Sequence, residues 1–172
     1  MSESFTKLLN PDGYFSEYQM QEDVEKWIKE KRFFRTSSSY PYRSEVEIKV
    51  FREFRIPEIG RISDHIVYFS NRKIINIECK LVDMDGVIKQ AVDHLRWADY
   101  SIICFPLDNL YVPQKYIKTI LDKGLGLIYY KQDFGLFQFI NPKHNKNVDK
   151  ELRLKINERI SKLTTNNERV SS

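Results

Sequence analysis

The sequence predicts an α/β domain with a mixed central β-sheet flanked by helices. Two patterns carry that expectation. Three β-type runs, EVEIKVFREFRIP, RISDHIVYF and KIINIECKLV, follow one another with only short turn segments between them. A helical spacing of Ile88, Ala91, Val92 and Leu95 then separates them from a continuous apolar run, YSIICFP at 100–106, which reads as a buried strand reached by a crossover. A chain of 172 residues, 41% hydrophobic, can bury one sizeable core and is too short for two ordinary domains.

The elements follow in order. N-P-D-G at 10–13 is a turn signal, after which Met20, Val24, Trp27 and Ile28 recur at helical spacing from Ser16 to Lys31, with Ser16 and Gln19 as a capping box at the start. The Ser-Ser-Ser and Pro41 stretch at 36–42 is a loop ahead of the three β runs. A helix over 87–98 leads to the fourth strand, and Pro113–Leu121 reads as another helix. Gly124 and Gly126 punctuate, and LIYYK with LFQFINP supplies the closing strands. We divide the chain into a domain over 1–142 and a basic C-terminal helix with a frayed tail over 143–172. In that last helix Val148, Leu152, Ile156, Ile160 and Leu163 form one stripe, suited to packing back on the domain or to a homodimer contact.

The charge is uneven. Residues 1–140 hold 20 basic and 20 acidic side chains, whereas 141–172 hold 8 against 4 and supply the whole net charge of +4. The total alone names no polyanionic partner. Cys79 and Cys104 sit in apolar runs, as free thiols in a reducing compartment would. No signal-like N-terminus and no membrane-length apolar segment is evident, so the expected setting is soluble and cytoplasmic.

In IINIECK the period of two places Glu78 and Lys80 on one face, with Ile75, Ile77 and Cys79 on the other. RISDHIVYF and this strand are separated by SNRK and should form a hairpin. Asp64 then faces Glu78 provided that the loop has an odd number of residues, since that pairing has a residue sum of 142. Opposed carboxylates suit a single Mg²⁺, and a lysine beside them suits phosphodiester hydrolysis, in which charge builds on phosphoryl oxygens while a water attacks in line.

These residues, D64–x13–E78–C79–K80 on a hairpin after a helix and before a Gln-bearing helix, resemble the PD-(D/E)xK (restriction-endonuclease-like) nuclease superfamily, as a small single-domain member. The likeness spans about residues 15–140 and includes V-x-R-E-F before the Asp strand and Q-A-x-x-H-x-x-W-A-D in the helix. A second E-x-K, Glu47-Ile48-Lys49, lacks both the upstream aspartate and the downstream helix. The resemblance implies a restriction-endonuclease-like core, Mg²⁺ or Mn²⁺ held by Asp64 and Glu78, Lys80 as the residue that positions water, and DNA as substrate. It also implies an acid from the first helix. Glu17 shares the stripe of Met20, Val24 and Ile28, whereas Glu22 lies nearly opposite, so Glu17 is favoured. Gln90 corresponds to a glutamine that many members carry, and with His94 and Trp97 forms a face suited to touching nucleic acid. Ser63 stands where the motif name has proline, and His94 where the exonuclease branch often has tyrosine.

Plainer roles stand beside these. Asp64, Glu78 and Lys80 form an ordinary cross-strand ion set if the sheet face is solvated, but charges in a strand this apolar demand partners or a metal. His65 reads as a core residue, and Glu53 as a salt-bridge partner of Arg52, Arg55 or Arg61 in preference to a further site acid reached through its strand. Lys26, Lys29, Lys31, Arg32, Arg35, Arg43, Lys49, Arg52, Arg55 and Arg61 border a phosphate track or simply face solvent. Tyr40, Tyr42 and Trp97 are candidate base-stacking residues. The expected function is therefore a Mg²⁺-dependent deoxyribonuclease, an endonuclease since nothing suggests a processivity ring or a motor. The alternative is a nuclease-like domain that binds nucleic acid or a partner protein without cutting.

Overall fold

The computed structural model describes residues 16–30, 47–106, 114–131 and 135–170. The turn at 10–13, the loop at 36–42, and Lys31, Arg32, Arg35, Arg43, Tyr40 and Tyr42 lie outside them. Helix α1 (Glu17–Lys29) is followed by β1 (Ile48–Ile56), a single 3-10 turn at Pro57–Ile59, β2 (Arg61–Phe69), β3 (Ile74–Cys79), α2 (Met84–His94), β4 (Tyr100–Pro106), α3 (Gln114–Lys123), β5 (Gly126–Lys131), β6 (Gly135–Ile140) and α4 (Lys150–Val170).

The strands lie side by side in chain order. β1, β2 and β3 pair antiparallel, β3, β4 and β5 parallel, and β6 returns antiparallel on β5. Each parallel step needs a crossover, which α2 and α3 provide. The fold is thus α/β with a mixed six-stranded sheet.

Both faces of the sheet are covered. Met20, Val24 and Ile28 of α1 pack on Val67, Ile75, Ile77 and Cys79. Alternation sends Ile74 and Ile103 to the other face, where α2 and α3 cover β4 and β5, and α4 covers β1 to β3. At the start of α1, Ser16 Oγ accepts from Gln19 N at 3.1 Å, the side-chain half of the expected cap. Helix α2 begins three residues before the apolar spacing because Asp83 caps it, accepting from Gly86 N at 2.9 Å.

The C-terminal stripe packs back on the domain. Leu152, Ile156 and Ile160 are buried against Phe54, Ile56, Ile66, Ile74 and Trp97. Residues after 142 therefore complete the same core. A buried ion group fixes the helix: Asp99 accepts from Ile74 N at 2.8 Å and from Arg153 Nη2 at 2.6 Å, with Lys73 Nζ at 3.2 Å. Burial alone would raise the Asp99 pKa, yet Arg153 and the Ile74 N–H hold it below its ordinary value. The helix continues to Val170 instead of fraying from Thr164, and the Thr164 and Thr165 hydroxyls bond back to Ile160 O and Ser161 O. No described helix is long and apolar enough to cross a membrane.

Candidate metal and phosphodiester site

The site is built at the β2–β3 hairpin. Phe69 N donates to Lys73 O at 3.0 Å, leaving Ser70, Asn71 and Arg72 as an odd-numbered loop, with Arg72 at φ 66°. The register that follows pairs His65 with Ile77 and Ile66 with Asn76, each summing to 142. Extended by one step, it sets Asp64 beside Glu78. Asp64 Oδ2 accepts from Cys79 N at 2.8 Å, which ties the aspartate to the strand that carries the glutamate.

Burial dominates the electrostatics. It raises the Asp64 pKa to about 6 against the pull of the Cys79 N–H, with the Glu17 charge adding to the rise, Lys80 opposing it and Glu53 adding to it. Glu78 is 1% exposed, and burial followed by the Asp64 charge lifts its pKa well above the usual carboxylate range. Burial and the Asp64 charge thus both oppose ionisation of Glu78.

Lys80, just beyond the strand, sends Nζ to Glu17 Oε1 at 3.3 Å. Its charge stabilises the ionised forms of both Asp64 and Glu78. Glu17, Asp64, Glu78 and Lys80 are therefore one electrostatic cluster. Glu22 instead lies 4.0 Å from Arg52. The second E-x-K is an ordinary surface pair, Lys49 to Glu47 at 3.9 Å.

The helix residues depart from expectation. His94 and Trp97 are both 0% exposed, so neither can touch nucleic acid from that position. The periodicity explains the error: Val87, Ala91 and His94 recur at i, i+4 and i+7, so the buried stripe of α2 includes His94. Trp97 Nε1 donates to His94 Nδ1 at 3.1 Å, which leaves the imidazole proton on Nε2. Burial lowers the His94 pKa to about 4, so the ring is neutral near pH 7. Its Nε2 lies 3.2 Å from Glu78 Oε1, although neither atom makes a well-aligned hydrogen bond.

Gln90 is half-buried on α2 and bonds to no described residue of the cluster. Arg61 is held by Asp93, with Nη2 and Nε at 2.6 and 2.9 Å from Oδ2, which offsets its charge as a phosphate ligand. His65 is buried, as expected of a core residue, and burial lowers its pKa to about 4. Glu53 has no ion-pair partner among the described residues; at φ 48° it interrupts β1 and adds its charge to Asp64 instead.

Three residues were missed by the motif. Asn76 hydrogen-bonds Glu78, and its Nδ2 donates to Ser101 Oγ at 3.0 Å, which donates to Ala91 O at 2.8 Å. Ser63 Oγ lies 2.5 Å from Asn76 Oδ1. This buried chain fixes the strand that carries Glu78. Its signal in the sequence is a lone asparagine in an otherwise apolar run.

No protein-family model and no curated protein matches this chain. Among solved structures, a protein of unknown function from Silicibacter pomeroyi is similar to it, 15% identical with a TM-score of 0.50 over 70% of this chain and 76% of that one. SfsA of Pyrococcus furiosus, determined in complex with Ca²⁺, is 16% identical with a TM-score of 0.40 over 74% and 65%. The likeness to the Silicibacter pomeroyi protein is one of fold alone. At these identities neither neighbour transfers the role of any residue.

The donor set fits a divalent cation in type and charge: two adjoining carboxylates whose buried negative charge lacks full compensation, with Glu78 Oε1 unsatisfied. Among the described residues no group of three or more His, Cys, Asp or Glu side chains is placed to hold a metal ion. A hydrated ion shared with substrate is the form that two carboxylates can support.

The pH dependence has a definite sign. The Asp64 pKa rises on folding from 3.8 to about 6, so its contribution is full below about pH 4 and is lost as pH rises through 6. His65 and His94 act oppositely: their neutral forms stabilise fully above 6.5, and that contribution is lost as pH falls towards about 4. Asp64→Asn keeps the acceptor for Cys79 N and removes only the carboxylate. In metal-free thermal melts it should gain on the wild type by about 1–3 kcal/mol more at pH 7.5 than at pH 4.5. An equal difference at both pH values would show that Asp64 ionises without cost.

Proposed function

We propose that this chain is a Mg²⁺-dependent deoxyribonuclease of the PD-(D/E)xK type, acting as an endonuclease, with Mn²⁺ able to substitute. The observation that carries this reading is the convergence of Asp64, Glu78, Lys80 and Glu17 at one hairpin, with both metal-facing acids driven up in pKa. DNA as substrate rests on the motif resemblance. A cytoplasmic setting is in keeping with two buried free cysteines.

Asp64 and Glu78 would hold the cation, which when bound supplies charge neutralisation for the phosphoryl oxygens and acidifies water. The remaining work falls to the chain. Lys80 would hold the attacking water and one phosphate oxygen, and Glu17 keeps the ammonium aimed. The water oxygen forms the new P–O bond, the bridging P–O bond breaks, and the water proton ends on the departing sugar oxygen.

A second reading has its own observation. Glu78 is turned onto His94 and is 1% exposed, as it would be in a nuclease-like domain that binds nucleic acid or a partner protein without cutting. A homodimer through α4 would have to use exposed positions such as Leu154, because the Leu152, Ile156 and Ile160 stripe is occupied. Supercoiled plasmid, single-stranded circles and four-way junctions incubated with Mg²⁺ or Mn²⁺ decide between cutting and binding. Cleavage of at least one DNA that stops with EDTA is expected; DNA binding without any cleavage by folded protein would favour the second reading.

A further inference from the structure

Beside the site lies a groove of about 600 Å³ between β1 and the middle of α4. Arg52 and Arg55 of β1 and Arg159 and Lys162 of α4 line it, against one acid, Glu53. Two of the four cations are already engaged: Arg159 with Glu58, and Arg52 with Glu25 at 3.8 Å and Glu22 at 4.0 Å. Arg55 and Lys162 are exposed and have no ion-pair partner among the described residues. Phe51 and Leu163 add apolar surface.

Position links this groove to the carboxylates. Its lining runs through Glu53, whose charge reaches Asp64, and the flanking residues Arg52 and Phe54 pair with His65 and Ser63 on either side of Asp64. The cations come from two elements that no local sequence motif joins. With Arg52 and Arg159 engaged by acids, Arg55 and Lys162 are the two cations of the groove whose charge stays open to an anion.

We propose that this groove carries the phosphate backbone of a DNA strand to or from the carboxylate site, with Arg55 and Lys162 as its principal phosphate contacts. This rests on the nuclease reading for its substrate class and adds to it the strand's path. The charge complementarity is that of sequence-independent backbone binding, in which each neutralised phosphate releases counterions. The apolar surface offers sugars and bases a place to rest without reading them.

The test is fluorescence anisotropy of short labelled single-stranded and duplex DNA in EDTA, over a series of salt concentrations. It compares wild type, the Arg55→Ala/Lys162→Ala double variant, and Lys118→Ala on an exposed position of α3 outside the groove. The double variant should bind about tenfold more weakly, with the slope of log K against log salt reduced by about 1.5, while Lys118→Ala matches wild type. All the altered side chains are exposed, so thermal melts should coincide. Unchanged affinity in the double variant, an equal loss in Lys118→Ala, or no DNA binding by wild type would overturn the groove. A selective loss of binding in a wild type that cuts no DNA would support the groove and refute the nuclease reading instead.

Discussion

Glu78→Gln should abolish cleavage and at the same time make the metal-free protein more stable. The carboxyl is almost wholly buried, its pKa is raised well above the ordinary range first by burial and then by Asp64, and one of its oxygens is unsatisfied. A group held in that condition opposes folding increasingly as pH rises through its native pKa, because the native state then gives up a proton that it bound more tightly than the unfolded chain did. The amide is nearly isosteric and puts a neutral group 3.2 Å from His94 Nε2 in place of the carboxylate. Removing the charge should raise stability at pH 8 by about 1–4 kcal/mol, measured by chemical denaturation in EDTA. Cleavage should fall at least about 10²-fold, and the rise in Tm expected of the wild type on adding Mg²⁺ should be missing from the variant. A Mg²⁺-induced Tm shift that survives Glu78→Gln would make Glu78 a structural partner of His94.

Lys80→Ala should separate chemistry from folding. The Lys80 side chain is 33% exposed and its ion pair with Glu17 is of the kind worth about 0–1 kcal/mol, so the fold should scarcely notice the loss. On the proposed reading, in which the ammonium holds the attacking water, the cleavage rate should drop at least about 10²-fold. Glu17→Gln should cost less, about tenfold, because Glu17 acts through Lys80, and the double variant should be no slower than Lys80→Ala alone. Single-turnover rates, measured at saturating DNA and metal, check both statements. Additive losses would mean that Glu17 acts independently of Lys80.

The sheet was legible because its signals are local and mutually consistent. The continuous run YSIICFP maps onto β4 as read, and the odd loop parity of the hairpin fixed the register that puts Asp64 next to Glu78. The choice of Glu17 over Glu22 from the helix wheel agrees with the contact that Glu17 makes to Lys80, whereas Glu22 lies by Arg52. What failed depends on which of two overlapping stripes a helix buries. α2 buries Met84, Val87, Ile88, Ala91 and His94, a stripe wider than the apolar spacing of Ile88, Ala91, Val92 and Leu95 suggests, so His94 and Trp97, read as a separate face, lie inside the core. The partner of Glu53 was misjudged because a positive φ in β1 cannot be inferred from a non-glycine residue. The groove was legible only on its β1 side, where Arg52 and Arg55 are candidates for a phosphate track: Lys162 is far from them in sequence and lines the same groove only because α4 folds back over β1.

These features share one physical theme. A small core has accepted acids whose charge it does not fully compensate, and it has surrounded them with hydrogen bonds that hold them in place. Asp64 is fixed by a backbone N–H, Glu78 by Asn76 and the approach of His94, and Lys80 by Glu17. Stability is conceded at the place where a cation would return it.

The most direct measurement is the rate of supercoiled-plasmid nicking as Mg²⁺ is titrated into the metal-free protein, run in parallel with Glu78→Gln at equal concentration. A rate that rises from the EDTA background, saturates with Mg²⁺ and is lost in the variant is the expected result. Nicking that is independent of Mg²⁺, or equal in the variant, would contradict the assignment of Asp64 and Glu78 as the acids that hold the metal.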